Sequence, residues 1–329
     1  MLRRRRLKDY KVTVICTAFN HGRFIEQTIK GFLMQKTDFA FKVILHDDAS
    51  KDDTRRIIEK YAKAYPDIIV PILQEENCYS KGIKITDKYI LPLVDTEYIA
   101  FCEGDDFWTD ENKLQMQYDY MQQNPDCVMC THNTDLINAK DDTYIRTLNA
   151  CMTDRDYSAD EIILARGGQL FHTSSFFMKT QYRRDFLQSL RIKSVGDYPL
   201  AVYLSLCGKV HYFGKVMSSY RTGVEGSWTV RTYSDKKKVE EFYDNLLDYL
   251  KRLDSHTNGA HAEAIRKVYD VNSLLRLRYL GEYKKILKDR KMRKILKDRP
   301  HYEKKEIWLR GLVPFAFEIK KKLKRIMGK

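Results

Sequence analysis

Residues 98–106 have the sequence Tyr-Ile-Ala-Phe-Cys-Glu-Gly-Asp-Asp, an apolar run that stops at three acids. A run of this length, closed by a polar turn containing glycine, predicts a buried strand that ends where the acids begin. The same arrangement occurs earlier, where residues 41–46 (Phe-Lys-Val-Ile-Leu-His) lead into Asp47 and Asp48. Both acidic clusters are therefore expected at strand ends.

The chain around these two strands alternates between short β-rich runs and longer helical patterns. Further strands are predicted at residues 12–17, 68–73 and 127–132, and helices at about 23–35, after Ser50, at about 82–91 and from about 110. Ser50 and Asp53 have the spacing of a capping box that would open the second helix. Repeated strand–helix alternation predicts an α/β fold, with a mostly parallel sheet flanked by helices.

In such a sheet, ligands bind beyond the carboxyl ends of the strands. The two acidic clusters should therefore lie at the same edge, where clustered carboxylates raise one another's pKa unless a cation neutralises them. Carboxylate oxygens without soft ligands nearby favour Mg²⁺ or Mn²⁺. The alternative is that these acids only cap the helices that follow, which explains one cluster more easily than two.

The acidic clusters belong to a longer series of motifs. The series is Thr17–Asn20, His46–Ser50, Cys102–Trp108, Lys113–Gln115, Gly196–Leu200, Tyr220-Arg221 and Gly226–Trp228. In this order and spacing, over about residues 10–230, it resembles family 2 glycosyltransferases of the GT-A fold, a Rossmann-like fold. The resemblance is greatest to those of bacterial surface and capsular polysaccharide synthesis.

The resemblance implies roles for the matching acids. Asp105 would be the main metal contact, with Glu103 and Asp106 beside it at the donor diphosphate. Asp197 would be the catalytic base that takes the proton from the acceptor hydroxyl. Asp47 and Asp48 would hold the uracil or ribose end of a UDP-type donor.

Further donor contacts are implied in the loops. The loop after the first strand would contribute Thr17, Ala18, Phe19 and Asn20, and later loops Arg221 and Trp228. Arg221 would lie against the diphosphate, and a salt bridge to a neighbouring loop acid is the open alternative. For Trp108, stacking on a sugar and packing at the sheet edge are both open.

The function implied is that of an inverting glycosyltransferase that uses Mn²⁺ or Mg²⁺. It would move a sugar from a nucleotide-diphosphate sugar, expected to be a UDP-sugar, to a hydroxyl of a growing surface polysaccharide or lipid-linked glycan. The alternative is a catalytically silent nucleotide-sugar-binding or scaffold protein of the same fold. The sequence contains neither a P-loop nor a dinucleotide-binding glycine motif, and the loop after the first strand lacks the signature of a nucleotidyltransferase.

The net charge of +14 comes entirely from the end of the chain. Residues 1–230 carry 31 Lys and Arg against 31 Asp and Glu, and residues 231–329 carry 28 against 14. Two domains are predicted, a GT-A domain over 1–230 and a helical basic region over 231–329. Positive charge interleaved with aromatic residues in 281–329 predicts contact with an anionic membrane surface, and a solvated helical surface is the alternative. No nucleic-acid-binding motif is present, so nucleic acid is not expected as a partner.

Seven cysteines, several of them inside apolar runs, predict reduced thiols in a cytoplasmic protein. No apolar run reaches the roughly 20 residues that a membrane span needs. Two locations stay open, the cytoplasm itself and the inner face of the cytoplasmic membrane. The segment from His172 to Ser175 is interpreted as an acceptor-side strand and not as a hydrolytic Ser/His pair.

Overall fold

The computed structural model describes residues 9–165, 170–190 and 196–312. These residues contain one sheet of ten strands. The strands are β1 (Tyr10–Ala18), β2 (Ala40–Asp47), β3 (Ile69–Leu73), β4 (Tyr98–Phe101), β5 (Phe107–Trp108), β6 (Cys127–Asn138), β7 (Tyr144–Thr147), β8 (Arg155–Tyr157), β9 (Phe177–Lys179) and β10 (Lys209–Thr222).

Twelve α-helices lie within the same described residues. They are α1 (Ile25–Leu33), α2 (Thr54–Ala64), α3 (Lys113–Gln123), α4 (Ala159–Leu164), α5 (Thr180–Ser189), α6 (Asp197–Cys207), α7 (Trp228–Tyr233), α8 (Lys236–His256), α9 (Ala262–Tyr279), α10 (Tyr283–Lys288), α11 (Arg290–Lys297) and α12 (His301–Leu312). Short 3₁₀ turns occur at Tyr79–Lys81, Leu91–Leu93 and Thr173–Ser175, and a single π-helical turn at Thr86–Ile90.

The first four strands form the parallel part of the sheet, in the order β3-β2-β1-β4. The register places Ala18 of β1 opposite Asp47 of β2, and Ile15 of β1 opposite Phe101 of β4. After β1 the chain adds β2 and β3 on one side and then returns to add β4 on the other. This reversal creates a crevice at the carboxyl ends of β1 and β4, the position where open α/β sheets bind ligands.

The rest of the sheet is mixed. Strand β9 runs antiparallel between β4 and β6, while β6 and β10 pair in parallel. Strands β5 and β8 pair antiparallel with β10, and β7 pairs antiparallel with β6. The α/β fold and the predicted parallel strands are confirmed, and the antiparallel additions follow the fourth strand.

The core explains why the N-terminal pattern folds in this way. Residues 12–16 of β1 are all buried, as expected for a parallel strand covered on both faces. Helix α1 buries Ile25, Ile29 and Phe32, which lie on one face at helical spacing. The Trp108 ring packs edge-on against Phe32 at 4.9 Å and is only 1% exposed, so this tryptophan packs in the core and is not free to stack on a sugar.

Two local structures predicted within the first hundred residues are wrong. The Ser50 hydroxyl hydrogen-bonds to the Asp47 carboxylate, and α2 begins at Thr54, whose N–H donates to Asp52 at 3.0 Å. The predicted capping box therefore does not form, because Asp47 competes for the same serine. The helix expected at 82–91 is replaced by the π-helical turn and a 3₁₀ turn, with Pro92 at the start of the latter.

The described residues divide into two compact units, one of residues 9–162, 170–190 and 196–225, the other of residues 163–165 and 226–312. The domain boundary expected at residue 230 stays a prediction, since compactness does not show that either part folds alone.

The second unit has its own small apolar cluster, formed by Leu274, Ile286, Leu296 and Ile307. The motif Lys-Ile-Leu-Lys-Asp-Arg occurs at residues 285–290 and again at residues 294–299. The chain bends at the end of the first copy, where the Asp289 carboxylate accepts the Met292 N–H at 2.9 Å and starts α11. No helix among the described residues is long and apolar enough to span a bilayer.

Candidate active site

The two acidic clusters lie at the same edge of the sheet, as expected. The N–H of Asp48 donates to the carbonyl of Ala18 at 3.0 Å, and the N–H of Gly104 donates to the carbonyl of Thr17 at 2.9 Å. The loop after β1 is therefore held between the loop after β2 and the loop after β4. This arrangement places the acids of both clusters around the crevice between β1 and β4.

Three carboxylates follow β4. Glu103, Asp105 and Asp106 each have a carboxylate oxygen within 4.8 Å of the corresponding oxygens of the other two. Desolvation is the largest cause that raises the pKa of Glu103, and the negative charges of Asp105 and Asp197 raise it further. Glu103 as a whole residue is nevertheless exposed to solvent. Desolvation and the same kind of repulsion raise the pKa of Asp106, which is fully buried.

This cluster fits a divalent cation. Oδ2 of Asp106 is buried and has no hydrogen-bond partner among the described residues, which is costly for a carboxylate unless a cation or a proton compensates it. The ligand atoms are all hard oxygens, the type that Mg²⁺ and Mn²⁺ prefer. Glu103, Asp105 and Asp106 would hold the ion.

A side chain of helix α1 contacts the backbone of the acidic loop, residues 103–106. The hydroxyl of Thr28, on α1, is within hydrogen-bonding distance of the carbonyls of Asp106 (2.6 Å) and Gly104 (3.0 Å). A Cβ at Gly104 would lie 2.9 Å from Cβ of Ala18 and 2.9 Å from Nδ1 of His21. Glycine is therefore required here because the loops after β1 and β4 approach too closely for a side chain.

Arg221 braces the same loop. Its guanidinium donates to the Asp105 carbonyl at 2.7 Å and to the Asp142 carboxylate at 2.9 Å, and lies between the rings of Phe24 and Phe107. The bond from Arg221 in turn lowers the pKa of Asp142. These contacts form the salt bridge that the sequence left as the alternative, and a contact of Arg221 with the diphosphate stays a prediction.

Asp197 is the first residue of α6 and is half-buried. Its Oδ1 accepts the N–H of Tyr198 at 2.8 Å. Burial raises the pKa of Asp197, and its charge contributes to the raised pKa of Glu103. The structure therefore brings Asp197 close to the acidic cluster, although the two are about ninety residues apart in the chain.

The loop after β1 has a constrained backbone. Asn20 has a left-handed φ of 55°, and its N–H donates to the Ser50 hydroxyl at 2.8 Å. Ala49, in the facing loop, is also left-handed at φ 62°. Non-glycine residues in this region are strained and tend to cluster at functional sites. Phe19 is 41% exposed beside this loop, so it presents an aromatic face to solvent.

Asp47 and Asp48 are buried and bonded within the protein. Asp48 accepts the N–H groups of Cys78 and Tyr79 at 2.8 and 3.0 Å. Asp47 accepts from Ser50, and desolvation raises its pKa. Both acids thus shape the loops around the crevice, and direct donor contacts from them stay predictions. Trp228 begins α7, but its side chain lies outside the described part of the chain.

Two histidines near the acids were not identified as site residues from the sequence. Nε2 of His21 lies 3.7 Å from Oδ2 of Asp105, and Nε2 of His172 lies 3.6 Å from Oδ2 of Asp106. The interpretation of residues 172–175 as a strand is wrong. Residues 173–175 form a 3₁₀ turn, and this brings the His172 ring within 2.8 Å of the Ser174 hydroxyl. Ser174 is fully buried and is therefore not an accessible nucleophile.

The fold and the acidic crevice define a class of protein that sequence comparison identifies independently. The sequence model described as Glycosyl transferase family 2 matches residues 13–188. These residues include β1, β2, β4 and the acidic cluster. The chain belongs to glycosyl transferase family 2.

Individual relatives support this assignment. The uncharacterized protein Rv1520 of Mycobacterium tuberculosis is 32% identical over 233 residues, which are 70% of this chain and 64% of that protein. The chain thus matches just under two thirds of the length of that relative. The Escherichia coli UDP-Glc:alpha-D-GlcNAc-diphosphoundecaprenol beta-1,3-glucosyltransferase WfgD is 31% identical over 119 residues, 36% of this chain and 44% of that enzyme.

Among solved structures, residues 1–349 of S. aureus TarS in complex with UDP-GlcNAc superpose with a TM-score of 0.60. The match covers 92% of this chain and 79% of that one, at 15% sequence identity. At this level of identity the match supports the GT-A type of fold only.

Proposed function

We propose that this protein is an inverting glycosyltransferase that transfers a sugar from a UDP-sugar to a hydroxyl of a lipid-linked or growing surface glycan. The observation that carries the proposal is the cluster of Glu103, Asp105 and Asp106 after β4, with Asp197 near enough for its charge to raise the pKa of Glu103. Membership of the family and the name of WfgD, which specifies a UDP-sugar and a lipid-linked acceptor, support the choice of substrates.

The carboxylates have separate tasks in this proposal. Glu103, Asp105 and Asp106 would hold Mn²⁺ or Mg²⁺, which when bound supplies a Lewis acid for the charge that develops on the departing diphosphate. Asp197 accepts the proton of the acceptor hydroxyl while that oxygen bonds to the anomeric carbon. The bond from that carbon to the diphosphate oxygen breaks, and the nucleoside diphosphate leaves with the electron pair. One displacement from the opposite face inverts the anomeric configuration.

A panel of nucleotide sugars tests the donor assignment. We expect UDP-sugars to raise the thermal midpoint of the protein with Mn²⁺ present, and GDP- and dTDP-sugars to raise it less. The stabilising donor should then be consumed in the presence of a polyprenyl-diphosphate-linked saccharide. Donor binding with no turnover against any acceptor would favour the catalytically silent alternative, and no response to UDP-sugars would contradict the proposal.

We also propose that the basic C-terminal region contacts an anionic membrane surface, where a lipid-linked acceptor would be found. On α12, Trp308, Leu309 and Leu312 are exposed, with Lys305 on the same side, while Ile307 is buried. Helix α11 exposes five further cations, Arg290, Lys291, Arg293, Lys294 and Lys297, of which Lys291 pairs with Asp270. Aromatic and aliphatic side chains beside cations suit the interface of an anionic bilayer. The rest of the basic segment, residues 313–329, lies outside the described residues.

Vesicle co-sedimentation tests the membrane contact. The paired substitutions Leu309→Glu and Leu312→Glu should lower binding to phosphatidylglycerol vesicles at least fivefold, because they remove apolar contact and add negative charge at the surface. A matched control is Tyr144→Glu with Ile145→Glu, which changes two exposed apolar residues of β7. Equal binding by the α12 variant and the parent protein would contradict this proposal.

A further inference from the structure

The inference concerns His172 and rests on the metal site of the proposed function. His172 is 2% exposed and stands at the start of the 3₁₀ turn Thr173–Ser175. Its Nδ1 accepts the backbone N–H of Ser174 at 3.3 Å and lies 2.8 Å from the hydroxyl of the same serine. A backbone N–H can only donate, so Nδ1 is the unprotonated nitrogen and a neutral ring carries its proton on Nε2.

The neutral state of this ring follows from the same hydrogen bond, because a protonated imidazole carries a proton on both nitrogens and could not accept the Ser174 N–H. The ring also stacks on Tyr220, with 4.2 Å between the ring centres. A neutral imidazole with a defined tautomer is a fixed hydrogen-bond donor at Nε2.

The donor faces the unpartnered oxygen of the acidic cluster. Nε2 of His172 lies 3.6 Å from Oδ2 of Asp106, the buried oxygen for which the described part of the chain offers no hydrogen-bond partner. The other oxygen of this carboxylate, Oδ1, accepts the backbone N–H of Arg221 at 2.9 Å. A small rotation of either side chain would close the remaining gap, and Asp106 would then be held at both oxygens.

The ring itself is held by a buried hydroxyl network. The Ser174 hydroxyl lies 2.8 Å from that of Ser218 on β10, which lies 3.0 Å from that of Thr134 on β6. The Trp108 indole N–H donates to the Ser174 carbonyl at 3.0 Å. Residues of three strands, β5, β6 and β10, thus fix the position of the imidazole. A side chain that orients a metal ligand needs such a fixed position.

We propose that His172 is a positioning residue, whose Nε2–H group orients and stabilises the ionised Asp106 carboxylate so that the acidic cluster can bind a divalent cation. In this role it contacts a metal ligand and not the substrate. The opposing explanation is that His172 only caps the 3₁₀ turn by accepting its backbone N–H. In that case its removal would affect folding stability but not metal affinity.

Titration of the full chain with Mn²⁺, followed by the electron paramagnetic resonance signal of the free ion, separates these explanations. His172→Leu removes the donor and should weaken Mn²⁺ binding by about 10–100-fold, the usual effect of losing a group that orients a metal ligand. His172→Gln retains an N–H donor near the position of Nε2 and should stay within about threefold of the parent protein. His211→Leu is the matched control, because His211 is also buried but contacts Asp156 and Tyr120 instead of the acidic cluster.

The outcomes are distinct. Parent-like Mn²⁺ affinity in folded His172→Leu protein would overturn the inference and leave the proposed function intact. Equal weakening in His172→Leu and His211→Leu, matched by equal loss of thermal stability, would assign a structural role to His172 and also overturn the inference. Absence of Mn²⁺ binding by the parent protein would contradict the metal-dependent function itself.

Discussion

Asp197→Asn should lower kcat for sugar transfer by about 10²–10⁴-fold and leave donor affinity unchanged, because asparagine keeps the shape of the side chain but cannot take a proton. Asp197 is half-buried at the start of α6 and near the acidic cluster. The measurement is kcat from transfer assays combined with the Kd of UDP from calorimetry. The matched control is Asp185→Asn, an exposed acid on α5. Loss of UDP binding along with transfer would instead indicate a structural role for Asp197.

The pH dependence provides a second measurement of the same residue. Burial raises the pKa of Asp197, and a general base acts only when it is ionised. Transfer should therefore decline as the pH falls through this raised value, so the acidic limb of the kcat profile should lie above the ordinary aspartate pKa of about 3.9. The residual activity of Asp197→Asn should lack this limb.

Asp105→Asn should strongly lower metal-dependent turnover. The change removes one charge from a three-carboxylate site, and the Lewis acid that this site would hold contributes several kcal/mol to the transition state, or about 10²–10³-fold in kcat. Raising the Mn²⁺ concentration should restore part of the activity if the loss lies in metal affinity. Asp95→Asn is the control, since Asp95 is an exposed acid paired with Lys42. Full activity of Asp105→Asn at limiting Mn²⁺ would remove Asp105 from the metal site.

The sequence was sufficient for the part of the fold that carries the acids. In β1, β2 and β4, a continuous apolar run stops at a polar turn, and burial on both faces leaves few other structures for such a pattern. Since these strands are parallel, their carboxyl ends meet at one edge. The proximity of Asp47 to the Glu103–Asp106 loop was therefore predictable before any coordinates were known.

Elsewhere, contacts between residues distant in the sequence override the structure that the local pattern predicts. Ser50 has the spacing of a helix cap, but Asp47 takes its hydroxyl. Residues 172–175 were interpreted as a strand, whereas the chain forms a 3₁₀ turn that brings the His172 ring to the Ser174 hydroxyl. The bracing of the acidic loop by Arg221 depends on Asp142, Phe24 and Phe107, all distant from Arg221 in the sequence, and neither Asp142 nor Phe24 belongs to a motif. Only three-dimensional contacts show such a role.

The central claim is that the three carboxylates after β4 form one site in which a cation and a donor diphosphate bind together. Calorimetric titration of UDP into the protein, with and without Mn²⁺, tests it most directly. The account predicts that Mn²⁺ tightens UDP binding at least tenfold in the parent protein and has no such effect in Asp105→Asn. UDP binding of equal strength with and without Mn²⁺ in the parent protein would contradict the claim.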